Sequence, residues 1–330
     1  MKLLFQTEGT TGNTELKELL GFIDADLKLK NVIPDIITAT NDVIDLVGDE
    51  VYKKAIECYN NGNVSADDKA FIFAIRYPIA INAYRLYAAS NDLAHTSNGR
   101  KMRLDENQKQ AFEWMIDRDN AALEKRYYRA LDDLIKFLDR SKVDDELTTT
   151  LYSIWTNSDA FKATHNLFIR TVADFDKHFT ISSRLLLIKL APAISDCEQY
   201  KIRPRVGAEK LNVLKQALKE NTAITDANDL ELIRLIQKAS VLYSLSWAMP
   251  RLSVQLYPEG VLQHVTSDRA TTRGAKPTLK NETQEAAQAF QSDFDLVMLE
   301  IEKLLEVPAP IDTNVKLLPE TMYGDKYISF

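Results

Sequence analysis

The sequence predicts a mainly α-helical protein built as two related helical-bundle lobes, with short β-hairpins and an extended C-terminal arm. Three observations carry that prediction. Apolar residues recur at spacings of three and four along most of the 330 residues, Gly and Pro number only 10 each, and the order of elements in the first half comes round again in the second. A sandwich or barrel of many short strands needs far more turn residues than this chain supplies.

The first helix is expected from Thr14 to Lys30, because Leu16, Leu19, Leu20, Ile23 and Leu27 form one stripe behind a Thr14 cap. Pro34 should open a second helix, at a first-turn position where its missing N–H costs nothing. Its apolar stripe runs through Ile36, Ile37, Val43, Ile44 and Val47, and Gly48 should kink or break it before VYKKAIECY and the turn at Asn61 to Asn63. Behind Asp67 and Asp68, the segment FIFAIRYPIAINAYRLYAAS is apolar on most faces, which makes it the buried centre of the first half, kinked at Pro78. Ser90 to Leu104 lacks helical periodicity and carries a turn signal at Asn98 and Gly99, so it reads as a loop or short hairpin. Asp105 with Gln108 resembles a capping box before the longest helix, whose stripe runs from Phe112 and Met115 through Leu123, Tyr127, Leu131 and Leu134 to Leu138.

From Thr148 to Ala173 the pattern weakens and Ser, Thr and Asn gather around Trp155, so the boundary between halves falls here. That gives an N-terminal lobe over 1–150, a C-terminal lobe over 151–306 and an arm over 307–330. The second half then repeats the series: a helix from Ser182 past Pro192, a helix from Leu211 to Lys219, and an apolar LELIRLIQKASVLYSLSWAM capped by Asn228. A hairpin near 253–265, turning at Pro258, Glu259 and Gly260, and a final helix capped by Asn281 with Gln284 complete it. The final stripe, Phe290, Phe294, Val297, Ile301 and Leu304, is expected to be shorter than its counterpart. Tandem duplication of one helical module is the expected account of the repeat; the alternative is that two helical halves of similar length look alike at this level of detail.

Composition narrows the function. Apolar residues make up 45% and charged residues 27%, as in a folded globule, and 48 acidic against 41 basic side chains leave a net charge of −7 that repels phosphate backbones on average. A general nucleic-acid binder is thereby disfavoured. Cys58 and Cys197 lie far apart in helical contexts, the pattern of two free thiols in a reducing compartment. The apolar start MKLLF is far short of a signal-peptide core, and no window holds 18 unbroken apolar residues, so synthesis in the cytoplasm without membrane insertion is expected.

Signatures of chemistry are missing from the sequence: it has no Gly-rich phosphate loop, GxSxG elbow, HExxH pair, CxxC pair or EF-hand loop. His95, His165, His178 and His264 never sit three or four apart, so no helix face offers two metal ligands, and no cofactor or metal is expected. His178 has Asp174 one turn earlier, and Asp117, Asp119 and Glu124 gather on the long helix, but each pattern is common on solvated helix faces. Arg100, Lys101 and Arg103, with Arg269 and Arg273 in the matching loop of the second half, put positive charge on two loops of an acidic protein. They mark a channel or docking loop, or else ordinary solubilising charge. Tyr323, Tyr327, Ile328 and Phe330 place large apolar groups at the end of the chain, where they bind a partner or fold back on their own surface.

The runs NGRKMRLD, FEWMI, LEKRYYRALDDLIKFLD, LFIRTVADFDKHFTI, SRLLL and YPEGVLQ together resemble an uncharacterised family found in phages and prophages of gut anaerobes, over most of the chain. The first half is also distantly similar to head-tail connector adaptors, small helical proteins that stack as a ring beneath a phage portal. That resemblance implies a non-enzymatic structural protein of the virion, made in the bacterial cytoplasm. It implies a homo-oligomeric ring, a loop role for Ser97 to Leu104 close to packaged DNA, and docking of Tyr323 to Phe330 into the portal or a neighbouring ring. The chain is much longer than the usual adaptor and doubled, which opens the subunit count. A host-encoded helical interaction scaffold unrelated to virions is the alternative. A hydrolase or ligand-binding protein using His178 or the 117–124 carboxylates is a third reading.

Overall fold

The computed structural model describes residues 2–7, 10–23, 27–61, 65–97, 99–102, 112–140, 146–252, 254–257, 260–263 and 280–305, and these are mainly helical. No helix among them is long and apolar enough to cross a membrane. The first helix, α1 (Thr11–Leu20), is shorter than the apolar stripe implies. It stops at Gly21, which adopts φ +68° and donates its N–H to the Lys17 carbonyl at 2.7 Å, a left-handed cap that glycine takes at no steric cost. The next helix, α2 (Leu29–Val47), starts five residues before Pro34 and carries that proline inside it. The reason is tertiary: the Asn13 side chain on α1 accepts the Leu29 N–H at 2.6 Å and caps α2 from outside its own sequence.

Gly48, at φ +90°, ends α2 and leads into α3 (Asp49–Asn60). Ser65 caps α4 (Ala66–Asn91): its hydroxyl accepts from Asp68 N–H at 3.0 Å, and the Asp68 carboxylate accepts from Ser65 N–H at 3.1 Å. Pro78 lies buried within α4 without ending it. Strands β1 (Leu93–Thr96) and β2 (Gly99–Met102) pair antiparallel after it, with Leu93 opposite Met102. The long α5 (Glu113–Leu138) follows, preceded by the stretch of the expected Asp105–Gln108 cap, which lies outside the described residues. Helix α4 packs against both α2 and α5, and its Phe71, Ile75, Ile79 and Ile81 are fully buried in the first core. Burial of such side chains contributes roughly 1.5–3 kcal/mol each, so these four residues of the central helix contribute several kcal/mol to that core.

The N-terminal segment is fastened to this core by a partly buried cation. Arg76 of α4 lies 4.7 Å from the Phe5 ring centre and 5.1 Å from that of Tyr59, and pairs with Glu15 at 3.0 Å. Glu15 also accepts from the Tyr59 hydroxyl at 2.7 Å and from the Gln6 N–H at 3.1 Å, so one carboxylate serves three elements. The segment passes so close to α1 that a Cβ on Gly12 would stand 1.9 Å from the Gln6 carbonyl oxygen and 2.6 Å from Leu29 Cδ2.

Where the helical pattern weakens, the chain forms short helices: α6 (Glu146–Thr156), α7 (Asp159–His165) and α8 (Val172–Asp176). Ser158 and Thr171 cap the last two with their hydroxyls. Between α7 and α8, Leu167 and Ile169 bury into one cluster while Phe168 buries into another, the alternation of an extended backbone.

The second half holds α9 (Arg184–Asp196), a π-helical turn over Cys197–Ile202, α10 (Arg203–Val206) and α11 (Ala208–Lys219). It closes with α12 (Ala227–Ala248), the antiparallel strands β3 (Val254–Tyr257) and β4 (Gly260–Gln263), and α13 (Lys280–Leu305). Helix α12 packs against α9 and α13. Its cap is Asp226, which accepts from the N–H groups of Asn228 and Asp229; Asn228, the expected cap, is already helical. Asn281 likewise lies within α13, and α13 matches α5 at 26 residues, where a shorter helix was expected.

The two halves meet at Asp139, one residue past α5. One carboxylate oxygen accepts the Trp155 indole N–H at 2.7 Å, and the other accepts Arg184 Nε–H at 3.0 Å. Beside it, Asp132 of α5 accepts the Leu185 N–H at 2.8 Å and caps α9. Both donors to Asp139 are buried.

Two stability outcomes follow from these contacts. Gly12→Ala should lower the unfolding free energy by about 1–3 kcal/mol, measured by urea titration, because the added methyl meets backbone that must shift. Asp139→Ala should cost about 3–5 kcal/mol in the same measurement, since it leaves a buried guanidinium and a buried indole N–H unpaired. A loss below about 1 kcal/mol would show that the Asp139 contacts contribute no more than an exposed ion pair.

Candidate functional site

The end of α5 presents Lys136, Asp139 and Arg140 at helical spacing to a cleft of about 660 Å³. The opposite walls come from Tyr152 on α6, Phe161 and His165 on α7, the 170–173 segment, Arg184 on α9 and Lys219 with Asn221 at the end of α11. Six separate stretches of chain thus converge. Local sequence explains each placement: Ser158 starts α7 so that Phe161 and His165 share a face, their rings stacked at 5.0 Å. Trp155 meets the edge of Phe161 at 6.1 Å, so the aromatic wall is fixed from behind.

Charge in the cleft is one-sided. Among its described lining residues Lys136, Arg140, Arg170, Arg184 and Lys219 are cationic, against the carboxylate of Asp139, on a chain whose net charge is −7. Arg184 is only 5% exposed; its Nε is used by Asp139, but its Nη1 is buried with no hydrogen-bond partner. Arg170 Nε is buried and unpartnered as well. Burial pushes the His165 imidazole below its ordinary pKa, and the nearby Arg170 and Lys219 charges push it further, so it is neutral at pH 7. The arrangement is electrophilic and anion-attracting, with donors already held in place.

His165 and the runs that hold Lys136, Asp139, Arg170 and Arg184 are noticed in the sequence, but no motif links these residues as a site, and their spacing along the chain runs from 136 to 221. The residues that do stand out there are placed differently. Arg100 and Lys101 lie on β2, paired with His95 and Ala94, and Lys101 is exposed. Arg103, Arg269, Arg273, Tyr323, Tyr327, Ile328 and Phe330 lie outside the described residues. Asp174 is committed to Thr171, at 2.9 Å from its hydroxyl, and to Lys177 at 3.1 Å, while His178 Nε2 is buried with no hydrogen-bond partner, so the two do not form a base and its orienter. Asp117 and Asp119 are exposed and Glu124 pairs with Arg85 at 3.3 Å. Among the described residues no His, Cys, Asp and Glu side chains group as metal ligands.

A second buried polar cluster lies at the π-helical turn. Glu198 accepts the Phe168 N–H at 2.7 Å and pairs with Lys215 at 2.5 Å, and Gln237 donates to the Phe168 carbonyl at 3.0 Å. Burial raises the Glu198 pKa despite the lysine beside it. All its partners belong to the protein's own framework, so its role is to hold the extended 167–169 segment between two core clusters.

No curated protein and no solved structure matches the chain significantly. A family profile does match, over residues 43–164 and 202–310, together more than two thirds of the chain. The protein therefore belongs to the family DUF6712, described as a family of unknown function.

Proposed function

We propose that the protein is a non-enzymatic structural component of a phage particle, an adaptor in the head-to-tail connector that forms a ring through its helical lobes. The resemblance in NGRKMRLD, FEWMI and LEKRYYRALDDLIKFLD supports this reading. The observation that carries it in the folded chain is an apolar patch at the start of α5. Phe112 is 68% exposed, Trp114 49% and Met115 45%, and aromatic side chains gathered in water at one helix end mark a surface that a neighbouring subunit covers. Leu296 and Leu299 on α13 are exposed too. Arg100 and Lys101 on β2 take the edge of the channel in this reading, near packaged DNA, and the 307–330 arm with Tyr323, Tyr327, Ile328 and Phe330 docks into the portal or an adjacent ring.

The same proposal includes an internal duplication. Gly48 and Gly207 share one backbone conformation, φ +90° with ψ 154° and φ +87° with ψ 147°, and each opens a helix of 12 residues. After each come a long apolar helix, a pair of four-residue strands and a helix of 26 residues. The two matched stretches begin at Val43 and Ile202, in each case five residues before the glycine. Proline sits inside the helical run that precedes each glycine, Pro34 in α2 and Pro192 in α9, although the π-helical turn and α10 follow α9 before Gly207. A doubled module gives each subunit two similar edges, a geometry suited to head-to-tail contacts in a ring.

Deleting residues 307–330 should abolish incorporation into particles while leaving the circular dichroism of the purified protein unchanged; normal incorporation of the truncated chain rejects the docking role. Phe112→Ser with Trp114→Ser should reduce ring-sized assemblies to monomers by mass photometry. A wild-type protein that stays monomeric and draws soluble host proteins from lysate would point instead to the host scaffold.

A further inference from the structure

The cleft between α5, α7, α9 and α11 holds donors that the protein itself leaves unused. Arg184 is almost wholly buried with Nη1 unpartnered, and Arg170, in the same lining, has its Nε buried and unpartnered. Buried cationic donors are ordinarily satisfied, because withdrawing them from water without a partner is costly. The shortfall points to an anion that belongs in the cleft.

We propose that this cleft is a binding site for a phosphate-bearing small molecule, up to a mononucleotide in size, held by Arg184, Arg170 and Lys219. Three features set the ligand class. The lining carries five cationic side chains against one carboxylate, a surplus of four, which a phosphate ester at about two negative charges halves where a lone carboxylate removes one. Guanidinium groups offer paired N–H donors that match two oxygens of one phosphate. The volume of about 660 Å³ fits a ligand of nucleotide size, and Tyr152 and Phe161 on the wall supply apolar surface for the remainder of such a ligand. A long duplex is disfavoured by the net charge of −7. Because the lining comes from both halves of the chain, the bound anion joins them as Asp139 does. The inference is independent of the virion reading.

The test is isothermal titration of the full chain at low ionic strength with inorganic phosphate, AMP and ATP, and with a single-stranded oligonucleotide. Saturable binding of phosphate or a nucleotide is the expected result. Tighter binding of AMP than of phosphate identifies a nucleotide, and equal binding identifies phosphate alone as the recognised group. Arg170→Gln and Lys219→Gln, on the rim of the cleft, should each weaken binding about tenfold or more, while Lys53→Gln on the remote α3 surface should leave it unchanged. These variants avoid Arg184, whose loss also removes the Asp139 contact. The His165 imidazole, facing Arg170 and Lys219, gives a second reading by NMR titration: its pKa should rise when the anion neutralises those charges. The proposal is overturned by absence of saturable binding to phosphate and nucleotides, by binding to the oligonucleotide alone, or by affinities that the two rim variants do not change. None of these outcomes bears on particle incorporation, so failure here and failure of the virion reading are separable.

Discussion

Asp139 stands where the long helix of the first core ends, and its carboxylate must serve two buried donors at once: the indole of Trp155 behind it and the guanidinium of Arg184 in front. Neither donor has water to fall back on, so the position of α9 relative to α5 is set by hydrogen bonding as much as by apolar contact. The rest of the second half hangs from α9, which packs on α12, which in turn packs on α13. Polar contacts at Asp139 and Asp132, together with Leu185 buried in the first core, thus join the halves.

That joint also shapes the cleft. Fixing Arg184 through its Nε leaves its Nη1 buried and idle, and Arg170 and Lys219 line the same cleft on elements that pack for their own reasons. The result is a concentration of positive charge on an acidic protein, walled by aromatic rings that are themselves braced by Trp155. By contrast, the buried Glu198 has its partners supplied from within, by Phe168 and Lys215, and closes on itself. The difference between a structural polar cluster and a receptive one is whether the fold itself completes the hydrogen bonding.

Much of the helical architecture was legible from the residues. The stripes of α2, α4, α5, α12 and α13 are local properties, since side chains three and four apart share a helix face whatever surrounds them. The ends were less legible. Helix α1 stops at Gly21 as a left-handed cap, a signal present in the sequence but overridden in reading by Ile23 and Leu27 beyond it. The start of α2 at Leu29 depends on Asn13, 16 residues away, which no local pattern announces, whereas α9 carries its own Ser183 cap and gains Asp132, 53 residues away, as a further acceptor.

The sequence by itself determined that the chain is helical, which faces of its long helices are apolar, and that Gly48 interrupts them, because each depends on residues within a few positions of one another. Only the tertiary structure decided that α2 begins at Leu29, that Asp139 joins the halves, and that Lys136, Arg170, Arg184 and Lys219 face one cleft. Charges that far apart along a chain come together only when packing brings their helices side by side, and no periodicity records that convergence.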